Sequence, residues 1–216
     1  IGVGLVGSEM CIRDSQQSEN LTFDGTIRAD MYDFVIEDRL GSGGLETDFY
    51  SMEKISLREM NYEGRATYTK AFSSFNLRGV LGGNYMENNT SNSYSATSGG
   101  LSLPGFYNLD ASVDRPSVST GTSRRAINSV FGQLALDYGG FLYSDFSVRN
   151  DVSSTLPESN NSYTYYSLSN SLIFTELVSL PLVSFGKLRA SVAQVGSDTD
   201  PYSVALTYSV GTPYGS

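Results

Sequence analysis

The sequence contains no histidine and no tryptophan, and Cys11 is the single cysteine among its 216 residues. Without histidine, neither a Ser-His-Asp triad nor a histidine-ligated metal centre can form. One cysteine also excludes an internal disulfide and any paired-cysteine metal or redox motif. We therefore expect no enzymatic activity and no cofactor.

Charged residues are scarce at 17%, and 23 acidic residues against 14 basic ones give a formal net charge of −9. A nucleic-acid-binding protein needs a basic stripe, so this class is excluded. No stretch approaches the roughly 18 consecutive apolar residues of a transmembrane helix. A membrane β-barrel remains compatible, because only every second residue of its strands is apolar.

The first fifteen residues, Ile1–Ser15, differ from the rest of the chain. Glu9 interrupts their short apolar run, which makes them a poor signal peptide. Their VGSEMCIRDS stretch resembles translated adapter sequence that recurs at the ends of unrelated predicted proteins. We expect residues 1–15 to be non-native and assign residues 16–216 to one partial barrel region.

From Leu21 onward, apolar and polar residues alternate with a period of two, which predicts strands with one apolar and one polar face. The clearest segments are Leu21–Met31, Tyr62–Thr69, Phe75–Tyr85, Val130–Tyr138 and Leu142–Arg149, and less regular ones are Tyr163–Phe174 and Lys187–Val195. Helical periodicity is nearly absent. The sequence therefore predicts an all-β, antiparallel fold of about seven or eight strands.

The connections between these strands alternate between short and long. The short ones are Lys70–Ser74, Gly139–Phe141 and Leu177–Gly186, and the long, polar ones are Arg39–Asn61, Glu87–Arg125 and Asp151–Ser162. Aromatic residues lie near both kinds of strand end, as in the interfacial belts of membrane proteins. This layout predicts a segment of a transmembrane barrel with short periplasmic turns and long extracellular loops.

The two rows of each strand define two predicted surfaces. The residues predicted to face lipid are Leu77, Leu81, Leu134, Leu136, Leu142, Phe146 and Val148. The residues predicted to face the lumen are Arg78, Asn84, Gln133, Asp137, Asp145 and Arg149. We expect the two aspartates to face Arg149 or Arg78 as a solvated charge lining. A soluble sandwich or solenoid also alternates and stays the alternative fold.

Two further predictions concern the number of residues in the turns. Facing residues of a hairpin lie on the same side of the sheet, so the numbering of the two apolar rows fixes whether the turn has an odd or an even number of residues. A three-residue turn at Gly139–Phe141, with glycine in the left-handed conformation, places Leu134 opposite Phe146. The rows of Tyr68 and Phe75 require a turn of even length, which we place at Ala71–Ser74.

The longest predicted loop, Glu87–Arg125, carries a group of apolar residues. They are Leu101, Leu103, Phe106 and Tyr107. An exposed apolar patch usually marks a contact site, so we expect this loop to bind a partner or the substrate. The alternative is that the loop folds over the barrel mouth and buries these side chains on itself.

Four stretches resemble the late barrel of the SusC/RagA family of TonB-linked outer-membrane transporters. They are FNLRGVLGGNYMENN (Phe75–Asn89), GLSLPGFYNLDAS (Gly100–Ser112), Phe141–Leu177 with its RNDVSSTLP motif, and LVSFGKLRASVAQVGSDTDPY (Leu182–Tyr202). They occur in the family's order, and the resemblance covers about Asn20 to Ser216. One departure is Val152, where the family usually has tryptophan.

The resemblance implies an internal piece of a barrel of about 22 strands in the outer membrane of a Gram-negative bacterium, with the plug and the TonB box absent from this chain. It also implies import of a bulky oligosaccharide or peptide, driven through the TonB complex and assisted by a SusD-like surface lipoprotein. Two other functions stay open: a TonB-dependent receptor for iron chelates or vitamins, and a non-transporting surface protein such as an adhesin.

Overall fold

The computed structural model describes residues 2–16, 18–178, 180–201 and 203, so residues 204–216 of the predicted barrel region lie outside the described residues. Eight strands form one sheet in chain order: β1 (Gly2–Gln16), β2 (Leu21–Leu40), β3 (Phe49–Ala71), β4 (Phe75–Leu101), β5 (Ser112–Tyr138), β6 (Leu142–Ser153), β7 (Ser162–Ile173) and β8 (Lys187–Ala193). Each strand pairs antiparallel with the next. The predicted all-β, antiparallel fold is therefore confirmed.

In the described part of the chain the sheet is open, with β1 and β8 at its two edges. Three short 3₁₀ helices lie in the connections, at Leu109–Ala111, Glu158–Asn160 and Phe174–Glu176. Among the described residues, no helix combines the length and the apolar character needed to cross a bilayer.

The segment that we predicted to be non-native forms the edge strand β1. It pairs with β2 from Gly2 opposite Ile36 to Gln16 opposite Thr22. Pairing of this kind does not depend on side-chain identity, because the backbone supplies the hydrogen bonds. The origin of residues 1–15 therefore stays a prediction.

The register of the β5–β6 hairpin agrees with the prediction. Leu134 pairs with Phe146, and Tyr138 pairs with Leu142 across the turn. Gly139 and Gly140 have φ values of 59° and 72°, in the left-handed region that glycine adopts without steric cost.

The β3–β4 turn has the predicted even length but lies one residue later than predicted. Ala71 pairs with Asn76, so the turn is Phe72–Phe75 instead of Ala71–Ser74. The backbone N–H of Phe72 donates to the carbonyl oxygen of Phe75 at 2.8 Å, and the two rings stack with centroids 4.3 Å apart. This aromatic contact closes the turn at the phenylalanines.

Two of the predicted long loops are wrong, because β2–β5 continue well past the alternating segments. Strands β4 and β5 each have 27 residues, and the connections shrink to residues 41–48 and 102–111. In these extensions both faces carry serine, threonine and asparagine, as where Ser91 pairs with Ser56 and Thr122. Strand pairing needs only the backbone, so the ladder continues where the alternation ends. The third predicted loop, Asp151–Ser162, corresponds to residues 154–161.

We expect Gly82→Ala to destabilise the full-length barrel by about 1–3 kcal/mol, the usual cost of overpacking. A Cβ at Gly82 would lie 2.5 Å from the ring of Phe131 and 2.9 Å from the carbonyl oxygen of Gly64. Gly79→Ala in the same strand is the matched control, because a Cβ there meets nothing within 4 Å. Urea unfolding of both variants measures the difference, and equal stabilities would contradict this packing.

Candidate functional site

One face of the sheet, which we call the apolar face, exposes a band of large apolar side chains. Paired residues project to the same side of a sheet, so the register assigns each residue to a face. Exposed members include Phe23, Ile27, Tyr62, Tyr68, Leu81, Val130, Leu134, Leu136, Tyr138, Phe146, Tyr166, Leu168, Leu188 and Val192. The structure places all seven residues of the predicted lipid-facing set on this face, including Leu77, Leu142 and Val148.

The height of this band matches a hydrocarbon layer. On β4 it runs from Phe75 to Tyr85, eleven residues. At about 3.4 Å per residue this is roughly 34 Å along the strand, or about 25 Å across a bilayer at the usual tilt near 45°. Tyr62 and Tyr85 stack at one end with ring centroids 6.2 Å apart, and Tyr138 and Phe141 meet at the other end at 5.5 Å.

The opposite surface, the polar face, contains the predicted lumen-facing set. The structure places Arg78, Asn84, Gln133, Asp137, Asp145 and Arg149 on this side of the sheet. Arg78 and Asp145 lie in one row on either side of Ala135. Asp137 accepts hydrogen bonds from the side-chain amide of Asn76 at 3.1 Å and from the backbone N–H of Gly140 at 3.2 Å.

The ion pair of Arg149 differs from the predicted one. Its Nε lies 2.7 Å from Oδ1 of Asp151, two residues away along β6, instead of facing Asp137 or Asp145. The Tyr165 hydroxyl donates to the other oxygen of Asp151 at 2.8 Å. Asp151 is 5% exposed, and sequence reasoning missed it because an i, i+2 pair on one strand face has no signature beyond the alternation itself.

A second carboxylate, Asp198, holds the segment after β8 against the polar face. It accepts hydrogen bonds from Arg125 at 2.5 Å, from the Ser153 hydroxyl at 2.6 Å and from the Thr155 hydroxyl at 3.2 Å. Ser153 is completely buried. Asp198 thus joins β5, the β6–β7 connection and the chain beyond β8 at one end of the polar face.

The β4–β5 connection divides the predicted contact residues into two groups. Leu101 ends β4 and is 7% exposed, so its assignment to an exposed loop is wrong. It forms a small hydrophobic cluster with Tyr50 and Ala111, against which Tyr107 packs. Leu103 is 60% exposed and Phe106 is 50% exposed. Two of the four apolar residues therefore fold back, and two stay on the surface.

Polar contacts fix this connection to the neighbouring one. The Asp48 carboxylate accepts from the Ser42 hydroxyl at 2.5 Å and from the backbone N–H of Leu101 at 3.1 Å, and both bonds hold the pKa of Asp48 below its ordinary value. The Tyr50 hydroxyl donates to Glu37 at 2.9 Å, and burial together with this carboxylate raises the pKa of Tyr50. These groups lie beyond the apolar band. They fix the ends of the two connections, whereas Leu103 and Phe106, at the tip of the β4–β5 connection, stay on the surface.

The comparisons with known proteins give structural matches only. No family model and no curated protein matches the chain. A structure of the RagAB peptide transporter matches with a TM-score of 0.73 at 16% identity. The RagAB peptide importer matches in its closed-closed state with a TM-score of 0.67 at 17% identity and in its open-open state with 0.65 at 16%.

The chain shares the fold of these RagAB chains. Each match covers 88% of this chain but only 22% of the other. The chain thus spans about a fifth of the length of the structures that it resembles. The relationship is distant, since the fold is shared at 16–17% identity.

Proposed function

We propose that this chain is part of the barrel wall of an outer-membrane importer for bulky nutrients. The observation that carries the proposal is the two-faced sheet, with an apolar band about 25 Å high on one side and a polar surface on the other. The RagAB-like fold supports it, and RagAB is a peptide importer. We therefore favour a peptide over an oligosaccharide as the substrate.

In this proposal the apolar face contacts lipid and the polar face lines the lumen. Strand pairing satisfies the backbone N–H and C=O groups, which is the condition for residence in a hydrocarbon layer. Arginine, aspartate, asparagine and glutamine side chains on the polar face provide a wall along which a hydrated solute can pass. The TonB complex would supply the energy for the full-length protein.

The proposed partner is a SusD-like surface lipoprotein, seated on the exposed tip of the β4–β5 connection. Leu103 and Phe106 flank Pro104 and Gly105, and the backbone N–H of Phe106 donates to the carbonyl oxygen of Leu103 at 3.1 Å. Two apolar side chains on a closed turn with a fixed base form a preorganised contact, which loses little entropy on binding. The alternative is that this tip contacts the substrate instead of the lipoprotein.

The import function is tested by expressing the full-length protein in a strain that lacks it and measuring uptake of a labelled oligopeptide. We expect uptake that stops when a proton uncoupler collapses the inner-membrane gradient. Uptake of an iron chelate or a vitamin in place of the peptide would support the other receptor class. Surface binding without any uptake would support an adhesin.

The role of the tip is tested by replacing Leu103 and Phe106 together with serine in the full-length protein. We expect the lipoprotein to bind about thirtyfold more weakly, since a pair of apolar anchors contributes roughly 2 kcal/mol. Leu45→Ser is the matched control, because Leu45 is fully exposed on the neighbouring 41–48 connection. Co-purification and peptide uptake measure the effect, and unchanged values in the double variant would remove the tip from the mechanism.

A further inference from the structure

The chain after β8 leaves the ladder and crosses the polar face. We call residues 195–200 the strap. Gly196 lies on the rings of Tyr163 and Tyr165, because a Cβ at this position would meet them at 2.5 and 3.2 Å. Beyond Gly196 the strap passes the end of β6 and reaches the side chain of Arg125 on β5. The strap therefore spans three strands of the wall, on the side that the proposed function assigns to the lumen.

One side chain, Asp198, holds the strap in place. Its carboxylate accepts from Arg125 at 2.5 Å and from the hydroxyls of Ser153 and Thr155 at 2.6 and 3.2 Å. Within the described part of the chain, the backbone of residues 195–199 makes no hydrogen bond to the sheet. The strap is thus attached through a carboxylate, and it can leave the wall without breaking any strand pairing.

The three donors around Asp198 form a pocket built for a carboxylate. Ser153 is completely buried, Thr155 is 5% exposed, and the Asp198 side chain itself is 5% exposed. Buried donors need an acceptor, because a donor that is withdrawn from water and left unpaired costs free energy. The pocket is therefore stable only with an acceptor inside it, and in this structure the strap supplies that acceptor.

Asp198 does not satisfy every donor of this pocket. It bonds one nitrogen of Arg125, Nη2, and leaves the Nε of Arg125 buried without a hydrogen-bond partner. No other buried side-chain nitrogen or oxygen lacks a partner among the residues that the structure describes. Arg149 shows the difference, since its Nε donates to Asp151 and its Nη2 donates to Ser129. A carboxylate that approached Arg125 in the bidentate arrangement would bond both nitrogens.

The pocket lies where a solute enters the proposed passage. Arg125 is three residues before Asn128, which pairs with Tyr85 at the end of the apolar band. This places Arg125 about 10 Å along the strand past the band. The same end of the sheet carries the β4–β5 connection, which the proposed topology turns to the outside. A dissolved ligand therefore reaches Arg125 before it reaches the part of the polar face at the height of the band.

We infer that this pocket binds a carboxylate of the imported peptide, either its C-terminal group or an acidic side chain, and that Asp198 occupies the pocket until the peptide displaces it. One carboxylate replaces another, so the hydroxyls of Ser153 and Thr155 keep an acceptor. The exchange is favourable because Arg125 gains the bond from its Nε. Release of the strap also uncovers the two tyrosine rings beneath Gly196. The inference rests on the proposed function, since it takes the imported solute to be a peptide.

The test uses the purified full-length protein and three acetylated pentapeptides of alanine and glycine. The first has a free C-terminal carboxylate, the second is its C-terminal amide, and the third is this amide with one glutamate in the middle. Isothermal titration calorimetry is expected to show that at least one carboxylate peptide binds about tenfold more tightly than the plain amide, the effect of a charge-assisted hydrogen bond. The peptide that gains affinity identifies the source of the carboxylate.

Two pairs of variants locate the effect. Arg125→Gln is expected to abolish the preference for a carboxylate, whereas Arg124→Gln, on the opposite face of the same strand, is expected to keep it. Asp198→Asn is expected to bind the carboxylate peptide several-fold more tightly than wild type, because the competing charge is gone. Asp200→Asn is its matched control, since Asp200 is exposed and its side chain makes no contact with another described residue.

Three results would overturn the carboxylate pocket. They are equal binding of all three peptides by wild type, a carboxylate preference that survives in Arg125→Gln, and weaker carboxylate binding by Asp198→Asn, which would make Asp198 part of the site instead of a competitor. The wild-type comparison does not depend on the folding of any variant. Peptide uptake is measured in parallel. A protein that imports peptides but shows one of these results refutes only the pocket, whereas a protein that imports none refutes the proposed function.

Discussion

Leu134→Arg should lower the stability of the full-length barrel by about 2–4 kcal/mol, the cost of an arginine on the lipid-facing side near the bilayer midplane. Leu134 lies in the middle of the apolar band on β5, between Val130 and Tyr138. The charge would have to leave water or distort the bilayer around it. Urea-induced unfolding of the protein from lipid vesicles measures this cost.

The neighbouring residue provides the control for this experiment. Gln133 belongs to the same strand but to the polar face, where it pairs with Val80 and Ser147. Gln133→Arg is expected to change the free energy of unfolding by no more than about 0.5 kcal/mol. Equal losses for the two variants would show that neither face meets lipid and would favour a soluble sandwich.

A protease site inserted at Gly105 should be cut on intact cells, and the same site inserted at Gly140 should not. Gly105 is the exposed tip of the β4–β5 connection, and Gly140 lies in the β5–β6 turn at the opposite end of the sheet. A protease added outside reaches only the extracellular end, so the expected difference is all or none. Antibody detection of the fragments is the measurement.

The complementary experiment uses cells whose outer membrane has been made permeable. Under these conditions both insertions should be cleaved, which shows that each site is competent. Cleavage of the Gly140 insertion alone on intact cells would reverse the topology, and the lipoprotein would then have to bind at the turn end.

The part of the fold that sequence reasoning found is the part in which one face is apolar. Between Leu21 and Met31, or between Phe75 and Tyr85, burial of one face forces strict alternation, so strand, face and register follow together. The β5–β6 turn was predictable for a related reason, since the parity of Tyr138 and Leu142 and the pair of glycines agree on a single turn length.

The parts that it missed have physical causes as well. Residues 86–96 pair as regularly as the band does, but polar side chains on both sides of the ladder remove the contrast between the faces. The contact between Arg125 and Asp198 joins residues 73 positions apart, and no local pattern records such a separation. Asp198 in its Gly-Ser-Asp-Thr-Asp-Pro context reads as an ordinary turn, and only the position of the chain after β8 shows what it anchors.

The length of β4 beyond the apolar band sets where the exposed tip can be. The strand continues for sixteen residues from Met86 to Leu101, about 54 Å of ladder at 3.4 Å per residue. The paired strands form a ribbon that holds the β4–β5 connection above the apolar band, and the length of this ribbon changes in whole residue pairs. Adding two residues to both β4 and β5 raises the tip by one row and keeps Leu103 and Phe106 on their side, whereas adding one residue turns the tip to face the other way. A regular ladder of this kind therefore changes the reach of a docking loop in steps of two residues, and an odd change requires a bulge such as the register shifts on either side of Ser98.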